Sequence, residues 1–357
     1  MSQSLQKTLQ NDYGNGLTIL DKLWRKGTNF LGTEYALLGG AMSWVSEHNL
    51  VAALSNTGGF GVLACGSMSP ELLEKEIKLT FEKTKKPFGV NLITMHPQLD
   101  ELVEICGKMK VSHVVLAGGL PKGATITKLK DLGIKTICFA PATSLVKKLV
   151  KYGVDALVIE GNEAGGHIGP IATSVLAQEI LPFVNSEYPS VPVFVAGGIG
   201  RGEAIASYLE MGASGCQLGT RFVCASESIA HPKFKQLFIK SSSRDATPSI
   251  QLHAEFPVIP VRAIENNATR SFMEMQKETI ESFNRGEIDK LGAQLKIEHF
   301  WAGALRKAVI DGDVENGSVM AGQSVGMVTK EQSMKEIFAE LLQQAVIHLD
   351  VKQRNNG

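Results

Sequence analysis

The chain has 357 residues, 44% of them hydrophobic and 20% charged, which fits a sizeable buried core and excludes a disordered chain. Its 36 Lys and Arg balance its 36 Asp and Glu, so the formal charge is zero, and a nucleic-acid binder, which needs a basic face, is not expected. The 36 glycines fall in tight clusters, the mark of backbone that approaches something closely.

Met1 to Leu20 is polar and lacks the apolar centre of a signal peptide. No run of about 18 uncharged apolar residues occurs, so no membrane span is expected. Cys65, Cys106, Cys138, Cys216 and Cys224 form no Cys-x-x-Cys pair. An odd number of thiols, mostly inside apolar runs, predicts buried cysteines in a reducing compartment, and hence a cytoplasmic protein.

Eight short apolar runs follow in chain order: 36–42, 60–64, 88–92, 113–117, 135–140, 156–160, 191–196 and 215–218. Most are rich in Val, Ile or Leu without polar alternation, as in parallel strands covered on both faces. Most begin roughly 21–28 residues after the one before, the length of a strand, a helix and two short loops. The step from Glu160 to Val191 is longer and predicts an extended loop. Helical patterns fill the gaps. Ser69–Lys85 opens on a cap residue, then Pro70, then the acid Glu71. Thr143–Tyr152 places Leu145, Val146 and Leu149 on one face with Gly153 just past its end, and Gly202–Met211 is followed by Gly212. Eight such repeats predict a closed (β/α)8 TIM barrel; an open doubly wound sheet is the alternative, since period alone does not show closure.

The rhythm stops near Ala230. Residues 231–300 hold Pro232, Pro248, Pro257 and Pro260 and then a charged helical stretch, Thr269–Arg285, so a smaller, mainly helical second domain is predicted. A helix from Phe300 to Ile310, a loop-rich Gly312–Gly326 and an amphipathic helix over Lys330–Lys352 make residues 301–357 a segment that returns to the barrel of residues 1–230, with Gln353–Gly357 frayed.

In a barrel the chemistry sits on the loops after the C-terminal strand ends. Here those are Gly40-Ala41-Met42-Ser43, Asn91, Ala117-Gly118-Gly119, Glu160-Gly161, Gly197-Gly198-Ile199-Gly200 and Gly219-Thr220. Five of the six carry glycine and only Glu160 is charged, a pattern suited to a flat, phosphate-tailed ligand lying on backbone. The loops after the seventh and eighth strands, ending in Val195–Gly200 and Gln217–Thr220, are where this fold holds phosphate on main-chain N–H groups and a helix dipole. Thr220 adds a hydroxyl; ordinary turns that use glycine for their own geometry are the competing reading. His167 lies in the Gly-rich loop Glu160–Gly169, with little packing to do, and is the candidate catalytic residue. His48, His96, His231 and His348 read as core or surface residues, His113 as structural, and His253 and His299 as possible cleft residues of the second domain. No metal-binding spacing, hydrolase elbow or dinucleotide fingerprint occurs. Lys233, Lys235, Lys240, Arg244 and Arg262 read as solvated charge.

With these residues on view, the chain resembles the flavin-dependent enoyl-acyl-carrier-protein reductases and their relatives, the nitronate monooxygenases (2-nitropropane dioxygenases). The likeness spans roughly residues 36–345 and is carried by Gly40–Val45, Pro87–Asn91, Glu160–Gly169, Ala196–Ile199, Gln217–Phe222 and Gly312–Gln323. It implies an FMN-binding (β/α)8 barrel closed by a smaller domain. It further implies that Gly40, Ala41, Met42, Asn91, Glu160, Gly165 and Gly166 lie by the flavin, that Gly197, Gly198, Gln217, Gly219 and Thr220 hold its phosphate, that Gly322 and Gln323 complete the site, and that His167 is catalytic. Glu160 stands where many nitronate enzymes carry Gln, and Gly165-Gly166-His167-Ile168 where many read Gly-Gly-His-Arg; both departures, and Pro260–Asn266, lean toward the reductases. Ala41 replaces a glycine common in the reductases. The expected activity is NAD(P)H-dependent reduction of a 2-enoyl thioester, with NADH or NADPH as co-substrate and acyl carrier protein as a candidate partner. Nitronate oxidation with O2 is the alternative, and a non-redox phosphate-binding barrel enzyme a distant one. No metal, nucleic acid or membrane is expected, and a homodimer is the expected assembly.

Overall fold

A computed structural model describes residues 12–66, 68–250, 252 and 260–356. The barrel strands are β1 (Leu37–Gly39), β2 (Gly61–Ala64), β3 (Phe88–Ile93), β4 (His113–Ala117), β5 (Lys135–Phe139) and β6 (Ala156–Glu160). After β6 comes the two-residue β7 (Gly166–His167), and β8 (Val193–Ala196) and β9 (Gly215–Leu218) complete the wall. The eight wall strands are parallel, in the order β1-β9-β8-β6-β5-β4-β3-β2. A bridge between Leu38 and Phe60 joins the two ends. Its bonds are Gly39 N to the Phe60 carbonyl and Phe60 N to the Leu37 carbonyl, both 2.9 Å. The predicted barrel is therefore closed, and the open-sheet alternative falls.

Helices cover the outside, with the caps their sequences offer. Ser69 Oγ accepts from Leu72 N at the start of the helix Pro70–Lys83, and Gly153 ends the helix Thr143–Tyr152 at φ +87°. The eighth position is filled late in the chain. After β9 there is only a short helix, Thr220–Val223, and the helix Met334–Asn356 returns to pack on the helices Gly202–Glu210 and Gly14–Leu23. Both approaches need a residue without a side chain. A Cβ on Gly202 would lie 1.9 Å from the Leu341 carbonyl oxygen, and one on Gly16 2.2 Å from that of Val346. The predicted fraying at the C-terminus is not seen: the helix continues to Asn356, with Arg354 Nε 2.6 Å from Asp350 and its guanidinium donating to the Asp12 carbonyl.

Strand register sorts the side chains by face. Asn91 is level with Val115 and Ile137; Phe139, two residues on, is level with Val158; and Glu160, two further, is level with Ala196 and Gln217. These side chains share one face, which is the inside, because its lower members meet across the barrel. Phe60 and Phe30 both pack edge-on against His113, at 4.9 and 5.0 Å, and Phe30 also contacts Phe194 at 6.2 Å. Phe60, His113 and Phe194 are buried, and with Phe30 they form the floor. His113 is structural, as expected. Its Nε2 is 3.1 Å from the Phe30 carbonyl, its Nδ1 is 2.9 Å from Ser112 Oγ, and burial pulls its ring down to about 4. All five cysteines are free thiols in the interior.

Beyond the barrel, β10 (Ala246–Pro248) and β11 (Val261–Ile264) are antiparallel, and β11 pairs in turn with β7. The helices Asn267–Asn284 and Lys290–Val309 pack a second, smaller core of Val261, Phe272, Ala293, Ile297 and Trp301. The second helix starts ten residues before the predicted Phe300, after an Asp289 cap that accepts from Gly292 N. Two of the cations read as solvated are buried. Lys235 Nζ donates to the Ala225 carbonyl and pairs with Glu331, both at 2.8 Å, and Arg262 is held among carbonyls. His253 lies outside the described residues.

Candidate active site

The mouth of the barrel is lined on its inner face by Asn91, Phe139, Glu160, Ala196 and Gln217, two amides and one acid among apolar walls. Asn91 is buried, and its Nδ2 donates to the Val115 carbonyl at 3.1 Å. Gln217 is buried on β9, level with Leu38 and Ala196. Glu160 is half-buried, and no described residue hydrogen-bonds or pairs with its carboxyl; burial alone pushes it up to about 8.

Gly40 follows Leu38, and Gly219 follows Gln217, one pleat further up the inner face. These two glycines answer no need of the protein itself. Neither has positive φ, and a Cβ on either would meet nothing closer than 3.5 Å. A side chain at either position would project into the mouth, so their glycines keep that space open. The other site glycines have internal reasons. Gly197 (φ +97°) and Gly198 (φ +72°) are left-handed, and their Cβ atoms would press on Thr173 Oγ1 at 2.8 Å and on Glu163 Cβ at 3.0 Å. Gly165 and Gly322 face one another, with a Cβ on Gly165 coming 2.6 Å from Gly322 N, and Gly166 has φ +80°. Gly197 and Gly198 thus also serve the geometry of their own turn, whereas Gly40 and Gly219 leave the mouth open.

The cradle is tied together by residues the sequence reading did not single out. Glu163 accepts from Thr173 N at 2.8 Å and from Thr173 Oγ1 at 2.7 Å, and its own carbonyl accepts from Gln323 N at 2.9 Å. Thr220 Oγ1 accepts from Gly322 N at 2.9 Å, leaving its hydroxyl proton to donate elsewhere. Thus the β6 loop, the Gly197 turn, the Thr220 turn and the returning Gly322-Gln323 segment meet at one place. Thr173 and Glu163 are common residue types in unremarkable positions, and only their fold-level meeting marks them.

The loop after β1 is also built. Ser46 Oγ donates to the Gly40 carbonyl and accepts from Met42 N, each at 3.0 Å, while Met42 places its sulfur 3.5 Å from where a Gly219 Cβ would be. Ala41 is exposed at the rim. Trp44 is left-handed at φ +66°, a conformation that costs a residue with a Cβ about 1–3 kcal/mol. Arg306, from the helix Lys290–Val309, lies over its ring at 5.9 Å.

His167 does not sit in an irregular loop. It is in β7, paired with Val261, and Ile168 N donates to the Pro260 carbonyl at 2.9 Å. Its position is set by main-chain pairing with β11, and its side chain is exposed. Among the described residues one His–carboxylate group comes together, Glu47, His48 and Glu76, with His48 Nδ1 at 2.8 Å from Glu76. Its oxygens are engaged at the start of the helix His48–Asn56, Glu47 accepting from Asn49 N and Leu50 N.

The nitronate monooxygenase family model matches residues 25–105 and 97–344. The chain belongs to the nitronate monooxygenase family. It is 28% identical, over 90% of its length and 96% of the relative's, to the (3aS,4S,5R,7aS)-5-hydroxy-7a-methyl-1-oxo-octahydro-1H-indene-4-carboxyl-CoA dehydrogenase of Rhodococcus jostii. It is 26% identical to a probable nitronate monooxygenase of Bacillus subtilis, over 85% of this chain and 93% of that one. Among solved structures, FabK from Thermotoga maritima superposes with a TM-score of 0.80 at 35% identity, covering 92% of this chain and 98% of FabK. The barrel is thus the family's fold, and helices of the described residues are all too short or too polar to cross a membrane.

Proposed function

We propose that this family member is an FMN-dependent oxidoreductase that reduces a 2-enoyl thioester with NADH or NADPH. The observation that carries the reading is the mouth itself. Gly40 and Gly219 keep open the space beside Asn91, Glu160 and Gln217, in a cradle whose backbone is fixed by Thr173, Glu163 and Thr220. A planar heterocycle with a phosphate tail fits such a set: amides and an acid for its polar edge, first-turn N–H groups of the helix Thr220–Val223 and the Gly198 turn for its phosphate. When bound, FMN supplies the hydride carrier.

The residues of the chain do the rest. Met42, Gly165 and Gly166 line the ring's surroundings, and Gly197, Gly198, Gln217, Gly219 and Thr220 grip the phosphate end. Gly322 and Gln323 lock the His167 segment to the cradle. His167 gives a proton to the thioester's α-carbon or donates a hydrogen bond to its carbonyl oxygen. Residues 231–300 act as a lid that excludes water from the mouth.

The thioester is favoured over a nitronate by the relatives. The carboxyl-CoA dehydrogenase is named for a thioester, and FabK, an enoyl-ACP reductase, has the higher identity, 35% against 26% for the nitronate enzyme. Acyl carrier protein or coenzyme A would present the chain, in the cytoplasm, where the five thiols stay reduced. Nitronate oxidation is the second reading, supported by the family itself; His167 would then take a proton from the carbon next to nitrogen. The purified protein is expected to be yellow. Under nitrogen, bleaching by NADH or NADPH followed by re-oxidation with crotonyl thioester supports the reductase. Bleaching by propyl nitronate alone supports the second reading, and a colourless protein that takes no added FMN overturns both.

A further inference from the structure

We propose that Glu160 works as a neutral acid, donating a hydrogen bond to the ligand in the barrel mouth, so that ligand binding requires the proton it carries. This rests on the flavin reading above and adds to it a role for one side chain. Glu160 is the one carboxyl on the inner face of the described wall strands. Ala196 and Gln217 are level with it, and Asn91 and Phe139 share its face; none of these is charged. The charged side chains on adjoining segments bond to other groups, although Arg221 Nε is buried without a partner among the described residues. Lys135 and His113 are at the floor, both bonded to the Phe30 carbonyl, at the first residues of β5 and β4, whereas Glu160 is the last residue of β6. Arg221 is turned outward to Gln332 and Glu340, and Arg262 to the carbonyls of Asn162 and Ala246. Glu163 is held by Thr173, and His167 belongs to β7.

A carboxylate in that place gains neither a cation nor a donor, and desolvation favours its neutral form, pushing the group up to about 8. At neutral pH the side chain then offers one O–H donor and one carbonyl acceptor. That is close to the pattern of a carboxamide, uncharged and of nearly the same shape. Ionised, it becomes an acceptor only and turns a negative charge toward the carbonyl and ring-nitrogen acceptors of a flat heterocycle.

The test is the affinity of the full-length protein for FMN, read by quenching of flavin fluorescence from about pH 6.5 to about pH 9.5. The native protein is expected to bind with constant affinity up to about pH 8 and to weaken toward tenfold per unit above it. Glu160→Gln is expected to bind FMN without such a step, while Glu160→Ala binds more weakly throughout. A native curve without the step, or the same step in Glu160→Gln, overturns the role of Glu160 and leaves the flavin reading standing. A native protein that binds no FMN at any pH overturns both.

Discussion

Arg262 Nε donates to the Asn162 carbonyl at 2.8 Å across 100 positions of sequence, while its Nη1 donates to the Ala246 carbonyl. One buried guanidinium therefore joins the hairpin β10–β11 to the segment that carries His167. Removing it strands two carbonyls, each worth about 1–3 kcal/mol if left unpaired. Arg262→Met should keep bound flavin yet lose most turnover, with faster amide exchange over residues 162–168. Unchanged exchange there would show that the guanidinium does not hold the segment.

His167→Ala should retain flavin and lose turnover by roughly 10²–10⁴, the usual worth of a positioned proton carrier. The backbone pairing of β7 with β11 does not depend on the side chain, so the fold should be intact by circular dichroism. Near-native steady-state turnover would sink the assignment.

The two kinds of glycine should separate cleanly. In Gly219→Val the new side chain has room in the protein and none to spare for a ligand, so melting should be near native and FMN affinity reduced by about 10² or more. In Gly161→Ala the added Cβ would lie 2.0 Å from Thr173 Oγ1 and 2.2 Å from Thr173 N. That overpacking should cost roughly 1–3 kcal/mol or more of stability. Calorimetry with and without FMN distinguishes them; equal melting losses in both would contradict the division.

His113 gives a stability step of known sign. Burial pulls its imidazole down from the ordinary 6.5 to about 4, so the unfolded chain binds more protons between them. Stability is then full above about pH 6.5 and falls as pH drops toward 4, by up to about 3 kcal/mol. In the ligand-free protein, the fall in melting temperature from pH 7 to pH 5 should be shallower in His113→Gln. Parallel curves would place the proton uptake elsewhere.

The wall was legible because each buried parallel strand is a short apolar run, and the eight runs lie within one or two residues of the observed strands at almost every end. The glycines at strand ends were equally visible, but not their reasons: Gly219 and Gly198 look alike in sequence, and only their neighbours in space differ. What escaped notice has no local signal. β7 is two residues long and exists because β11, about a hundred residues later, pairs with it. Lys235 and Arg262 look like surface charge until the carbonyls they serve are assembled from distant segments. The early start of the helix Lys290–Val309 hides behind Gly292 and a mixed polar stretch, where the Asp289 cap is the deciding feature.

Phe30, Phe60, Phe194 and His113 stop the barrel at its base. A vessel sealed below has a single doorway, and two reactants that must each reach the same depth have to take turns in it. Were the proposed reactants to alternate there, parallel rather than converging double-reciprocal lines would be the kinetic sign of it.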